Sequence, residues 1–148
     1  MQYTDNLHLV KPQEDDDVSI AALNENADTL ATAVNNYSET EHIVGSWVDG
    51  SVLYEKTYHT QVTADGTEGN TGHHIDISGE NVNICASLEV IGNADTVAGK
   101  AAASGTMPDV QGIGVYRLGD TLYLNTALNA VFYPVEVYVT MRYTKASS

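Results

Sequence analysis

Two stretches of this chain place an apolar residue at every second position without a break: Val82, Ile84, Ala86, Leu88 and Val90, and later Val135, Val137, Val139, Met141 and Tyr143. A period of two puts every second side chain on one face of an extended strand, so each stretch must bury one face and wet the other. From His42 onward the same period recurs over segments at about 43–48, 52–62, 73–78, 82–91, 111–118, 121–126 and 131–143. Asp49-Gly50, Asp65-Gly66, Gly79-Glu80 and Gly119-Asp120 separate them, and these are residues that turns demand. Seven short strands with no helical pattern between them predict a mainly β chain, with an antiparallel β-sandwich of jelly-roll-like kind, or a barrel, over residues 38–148. Trp47, Leu53 and Tyr54 belong to its first hairpin, turning at Asp49-Gly50. Residues 94–109, ADTVAGKAAASGTMPD, break the rhythm and read as an excursion or edge loop, with a short helical turn at Lys100 to Ala103.

Before His42 the pattern is different. Residues 1–15 read as an extended arm whose apolar points are Leu7, Leu9 and Val10, with Lys11-Pro12 disfavouring helix. Such an arm cannot bury itself, so it either frays or docks on another protein. Asp15, Asp16 and Asp17 then supply carboxylates that cap a helix start and face the positive end of its dipole. Over 16–37, Ile20, Leu23, Ala27, Leu30, Val34 and Tyr37 follow a heptad seam. Two arrangements fit it: a short helix packed on its own domain, or a coiled-coil-like stalk formed with other copies. The seam is narrow and the rest of AALNENADTLATAVNNY offers Ala, Asn and Thr, which favours self-association, because a short acidic helix is not stable alone.

Charge limits the partners. Twenty acidic against six basic side chains give a formal net charge of −14, which repels phosphate backbones, so nucleic acid is not an expected partner. No apolar run reaches eighteen residues, and MQYTDNLHLV has neither the basic start nor the apolar length of a signal peptide; no membrane is expected, and the chain is read as made and retained in the cytoplasm. Cys85, alone in an apolar alternating setting, reads as a small buried hydrophobe. Nine tyrosines stand against one Phe and one Trp, a balance that suits both strands and contact surfaces.

No catalytic motif emerges. GxSxG, the phosphate loop, HExxH and CxxC are all missing, and Gly112-Ile113-Gly114 lacks the further glycine and the helix of a dinucleotide site. His74 and Asp76 would share one face of a strand, with His73 on the other, which makes them weak candidates for a metal; solvated polar positions are the plainer reading. Asp15 to Asp17 lack the alternating ligands and closing Glu of a calcium loop. No enzymatic activity, catalytic residue, cofactor or metal is expected.

The order of arm, acidic cap, short heptad helix and all-β domain resembles trimeric bacteriophage fibre proteins. NLHLVKPQEDDDVSIAALNENADTLATAV is similar to the N-terminal module of tail- and head-fibre proteins of phages infecting Gram-positive and gut bacteria, and VGSWVDGSVLYEKTY, GDTLYLNT and VEVYVTMRYTK are similar to the β module that follows it. The resemblance implies a virion protein made in the bacterial cytoplasm: a homotrimer joined through Ile20, Leu23, Ala27, Leu30 and Val34, attached to other phage structural proteins through residues 1–15, with Leu7, Leu9 and Val10 as contacts. In such a trimer three copies of His74 would surround the axis. Two roles follow for the outward domain. It binds the host surface, with glycans stacking on Tyr116, Tyr123, Tyr138 or Tyr143, or it is a capsid or head decoration or adaptor with a purely structural role. A simple meander would put Asp49-Gly50, Gly79-Glu80, Gly119-Asp120 and residues 145–148 at one end of the domain, and 63–72 and 92–110 at the other.

Overall fold

The computed structural model describes residues 2–5, 7–11, 19–33, 37–66, 73–97, 99–104 and 112–147. The chain is mainly β with one short helix. A two-residue pair of strands, β1 (Gln2–Tyr3) and β2 (Val10–Lys11), precedes helix α1 (Ile20–Ala33); then come β3 (His42–Ser46), β4 (Val52–Val62), β5 (His74–Asp76), β6 (Val82–Thr96), β7 (Gly99–Ser104), β8 (Gly112–Leu118), β9 (Thr121–Ala127) and β10 (Val135–Lys145). Five strands form one antiparallel sheet in the order β3-β4-β10-β6-β7, and three form another in the order β5-β9-β8.

The core is built on the alternation of β10. Val135, Val137, Val139, Met141 and Tyr143 have no exposed surface and meet Ile113, Leu122 and Leu124 of the three-stranded sheet, together with Val62, Ile77 and Val90. Neighbours on both edges help shield such a face along its whole length. β10, which has eleven residues and no Gly or Pro, lies between β4 and β6 and has both. The expected meander is therefore wrong, since it would leave that strand at the rim. Each neighbouring pair is nevertheless antiparallel, so the ends of the five-stranded sheet fall where a meander would put them. Val135 faces Val62 at the end that also carries the β6–β7 turn, and Tyr143 faces Tyr54 and Cys85 at the other. At that second end Ile77 N–H donates to Asp120 O beside the three-stranded sheet, and Ala146 N–H donates to Asn81 O beside the five-stranded one, each closing the end of its own sheet.

The Asp49-Gly50 turn forms as expected. Trp47 N–H donates to Ser51 O, Ser51 N–H donates to the Asp49 carboxylate, and Gly50 takes φ +87°, which other residues rarely adopt. Residues 94–109 were expected as a loop, with a helical turn at 100–103. Instead β6 runs on to Thr96 and returns as β7, with Ile91 paired to Ser104 and Thr96 to Gly99. Gly99, at φ +117°, and the Thr96 Oγ1 bond to its carbonyl make this turn, and the small alanines suit an edge strand. Residues 105–109 lie outside the described residues. Two other boundaries move. Strand β5 stops at Asp76, where a 3-10 turn Ser78–Glu80 begins, and 130–132 form another such turn before Pro134.

Among its described residues the expected arm folds back on itself. Thr4 N–H donates to Leu9 O and Leu9 N–H to Thr4 Oγ1, closing a small hairpin on β1 and β2. Asn26 of α1 then clasps it, accepting from Val10 N–H at 2.6 Å and donating to Val10 O at 2.9 Å. The helix is capped by Ser19, whose Oγ accepts from Ala22 N–H. The Asp15 to Asp17 cluster and Val34 lie outside the described residues.

A third tie crosses the domain. The Asp65 carboxylate accepts from Tyr133 OH and from Leu128 N–H, and these bonds, the Tyr133 one foremost, hold its acid constant below the usual carboxylate range. A group depressed in the folded state contributes stability that is present above its ordinary value and lost as pH falls through the depressed one. Melting curves between about pH 2 and pH 6 should therefore show a steeper acid loss for the wild type than for Asp65→Asn, around and below the ordinary aspartate value of about 4. Equal slopes would mean that the contact adds nothing.

Candidate functional site

Helix α1 turns its apolar seam away from the protein. Ile20 is 78% exposed, Leu23 54% and Leu30 43%, and Ala27 is exposed too. The side facing β2 and β3 carries Ala22, Asn26 and Thr29, half-buried, small or polar. The packing to its own domain is thus thin, while four of the five seam residues line one outer stripe and the fifth, Val34, is undescribed. Tyr37 leaves the seam: it sits beyond the helix at φ +62°, and its hydroxyl donates to Glu89 of β6 at 2.8 Å. The bond and the nearby charge of Glu89 raise the Tyr37 acid constant. Of the proposed attachment residues, Val10 is buried under Asn26, and Leu7 and Leu9 are half-buried.

The four candidate ligand tyrosines separate into three places. Tyr116 and Tyr123 stack on each other across β8 and β9 at 5.3 Å between ring centres, on the outward face of the three-stranded sheet. His74 pairs with Tyr123 in the register, so the three form one row. Tyr138 lies on the outward face of the five-stranded sheet, stacked on His59 at 4.7 Å and only 10° from parallel. Tyr143 must be withdrawn from the set. It is fully buried, stacked on Tyr54, with its hydroxyl on Glu41, and burial first and Glu41 second push its acid constant up. An odd position in β10 points to the core, whereas the even Tyr138 points out, and counting along the strand separates them.

His74 and Asp76 are both exposed on β5, on one face as expected, while His73 is buried with Nε2 at 3.0 Å from Thr126 Oγ1. Asp76 is engaged locally: its carboxylate accepts from Ser78 N–H, which with the Ser78 side chain lowers its acid constant. Among the described residues no group of three His, Cys, Asp or Glu side chains is arranged to hold a metal ion. Cys85 is half-buried, and burial raises its thiol, the opposite of what a reactive thiolate needs.

One cluster was not legible from spacing. Glu55 of β4, 1% exposed, accepts from Arg142 Nε of β10 at 2.6 Å and lies 3.4 Å from His42 Nε2 of β3. The three come from separate strands, and only the cross-strand register joins them: His42 pairs with Glu55, and Glu55 with Arg142. No helix of the structure is long and apolar enough to cross a membrane, among the described residues. No family model matches the chain, and neither does any curated protein or solved structure.

Proposed function

We propose that this chain is a non-enzymatic structural protein of a bacteriophage virion, a short homotrimeric fibre that attaches by its N-terminal segment and presents its β domain to host-surface glycans. In this reading α1 is the stalk and the two sheets closing on one core are a sandwich-type head. The observation that carries it is the outward seam: a fourteen-residue helix, roughly 21 Å long, leaves Ile20, Leu23 and Leu30 in water. A helix of this length is marginal in isolation, and its thin inward packing does not compensate, so copies of the same stripe are its natural cover. The hairpin β1–β2 is bonded to the same helix through Asn26 and Val10, and in this reading its Leu7 and Leu9 are the contacts to another virion protein.

Light scattering on the chain at micromolar concentration tests this directly. A trimer mass is expected, and a monomer would end the proposal. Changing Leu23 and Leu30 together to Asp is expected to loosen the N-terminal third, read as faster proteolysis there, without dissolving the trimer, because the small Ala27 leaves most of the interface to the β domains. Each protomer carries a formal charge of −14, so added salt should tighten the assembly by screening like charges.

A further inference from the structure

The outward face of the five-stranded sheet is ordered in cross-strand rows. Gln61, Glu136 and Asn93 form one, and His59, Tyr138 and Ile91 form the next, each reading from β4 through β10 to β6. Tyr37 and Glu39 border the second row, giving a depression of about 650 Å³. A neighbouring one of about 820 Å³ shares Asn93 and Tyr138 with it and reaches Lys100 and Pro134. Each lies within the usual span of small-ligand sites, roughly 300–1,000 Å³.

The groups in this groove are fixed before anything binds. His59 stacks on one face of Tyr138, which leaves the other face of the ring on the side of Ile91 and Asn93. Glu136 accepts from His59 Nε2 and from Gln61 Nε2, the latter at 2.7 Å, and these two bonds, with His59 foremost, keep it ionised to lower pH than usual. An ordinary wet sheet face scatters its polar groups. Here a flat apolar patch of Tyr138 and Ile91 is flanked by an anchored carboxylate and an amide. A pyranose offers the complement: a C–H face for the ring, and vicinal hydroxyls that donate to a carboxylate and exchange bonds with an amide.

We propose that this groove is a saccharide site for uncharged or amino sugars, with Tyr138 on His59 as the stacking floor and Glu136, Gln61 and Asn93 as the polar rim. The inference rests on the glycan-binding part of the reading above and deepens it. Charge selects the class. Among the described residues, Glu39, Glu89 and Glu136 line or border the groove, whereas Lys100 lies beside Asp95 and Arg142 pairs with Glu55. A uronate, a sialic acid or a phosphate polymer would meet net negative charge, while a hydroxyl or an ammonium group would not.

The test is titration calorimetry on the intact chain, with its oligomeric state measured on the same sample. The probes are neutral gluco-, galacto- and manno-oligosaccharides, chitosan oligomers, and hyaluronan fragments as the anionic arm. At least one neutral or amino probe is expected to bind. Tyr138→Ala should weaken that binding roughly tenfold or more, as loss of a central aromatic anchor does, and Asn93→Ala, which removes no core contact, should weaken it too. Tyr116→Ala, on the other sheet, should not. The proposal is overturned by silence across all neutral and amino probes, by preference for hyaluronan, or by binding that survives both groove variants. Silence from a sample that is trimeric would sink the groove and leave the assembly reading standing, whereas a monomer that binds would do the reverse.

Discussion

Replacing Arg142 by methionine is expected to destabilise the domain by about 3 kcal/mol, which is the low end for breaking a buried ion pair on one side. Arg142 is itself half in water, but its partner is not: the Glu55 carboxylate is 1% exposed, and Arg142 Nε is its closest cation at 2.6 Å. With the guanidinium gone, Glu55 keeps only His42 Nε2 at 3.4 Å, an imidazole that carries charge only when protonated. The double variant Arg142→Met with Glu55→Leu should recover most of the loss, because it removes the buried charge along with its counterion. Urea unfolding of the three proteins at one fixed concentration decides it. A single variant within 1 kcal/mol of wild type, or a double variant no better than the single, would show that water reaches Glu55.

Leu124→Ala is expected to cost roughly 2–5 kcal/mol, through lost transfer energy and the cavity left behind. Leu124 has no exposed surface and belongs to the core formed where the three-stranded sheet meets β10. Its backbone is also fixed at that point, since Leu124 N–H donates to His73 O at 2.7 Å. The strand therefore cannot slide to fill the space, which argues for the upper half of the range. The same change at Leu118, 67% exposed on the neighbouring strand, should move stability by less than about 0.5 kcal/mol. If the two variants unfolded at the same urea concentration, the assigned core would be wrong.

The strands were readable because burial on one face writes itself into alternate residues, and β10 and β6 carry that signal most completely. Their order was not. Placing β10 between β4 and β6 depends on which strand most needs two neighbours, a comparison among strands that no single window contains. The β7 strand was missed for a related reason. Lys100, Ala101, Ala102 and Ala103 have little strand preference of their own, and pairing with β6 supplies what they lack. The heptad spacing of α1 was visible, whereas the direction it faces was not, since that depends on Asn26 reaching Val10. Tyr143 was misplaced among the surface tyrosines although its parity within β10 was available. The Glu55 cluster and the His59–Tyr138 stack could be found only through the register, because their members lie far apart in the chain.

The position of β10 also fixes when the domain can close. Glu55 and Arg142 are separated by 87 residues, and β10 is synthesised after every strand it joins. Until it arrives, β4 and β6 both present bare edges to a slot one strand wide, and the contacts that would close the core are the most distant in the sequence, a pattern that slows folding. During that interval a β10 from another copy would fit the same slot. In the assembly proposed above, copies would meet while still unfinished, and a swapped strand and the proposed trimer would begin from the same encounter.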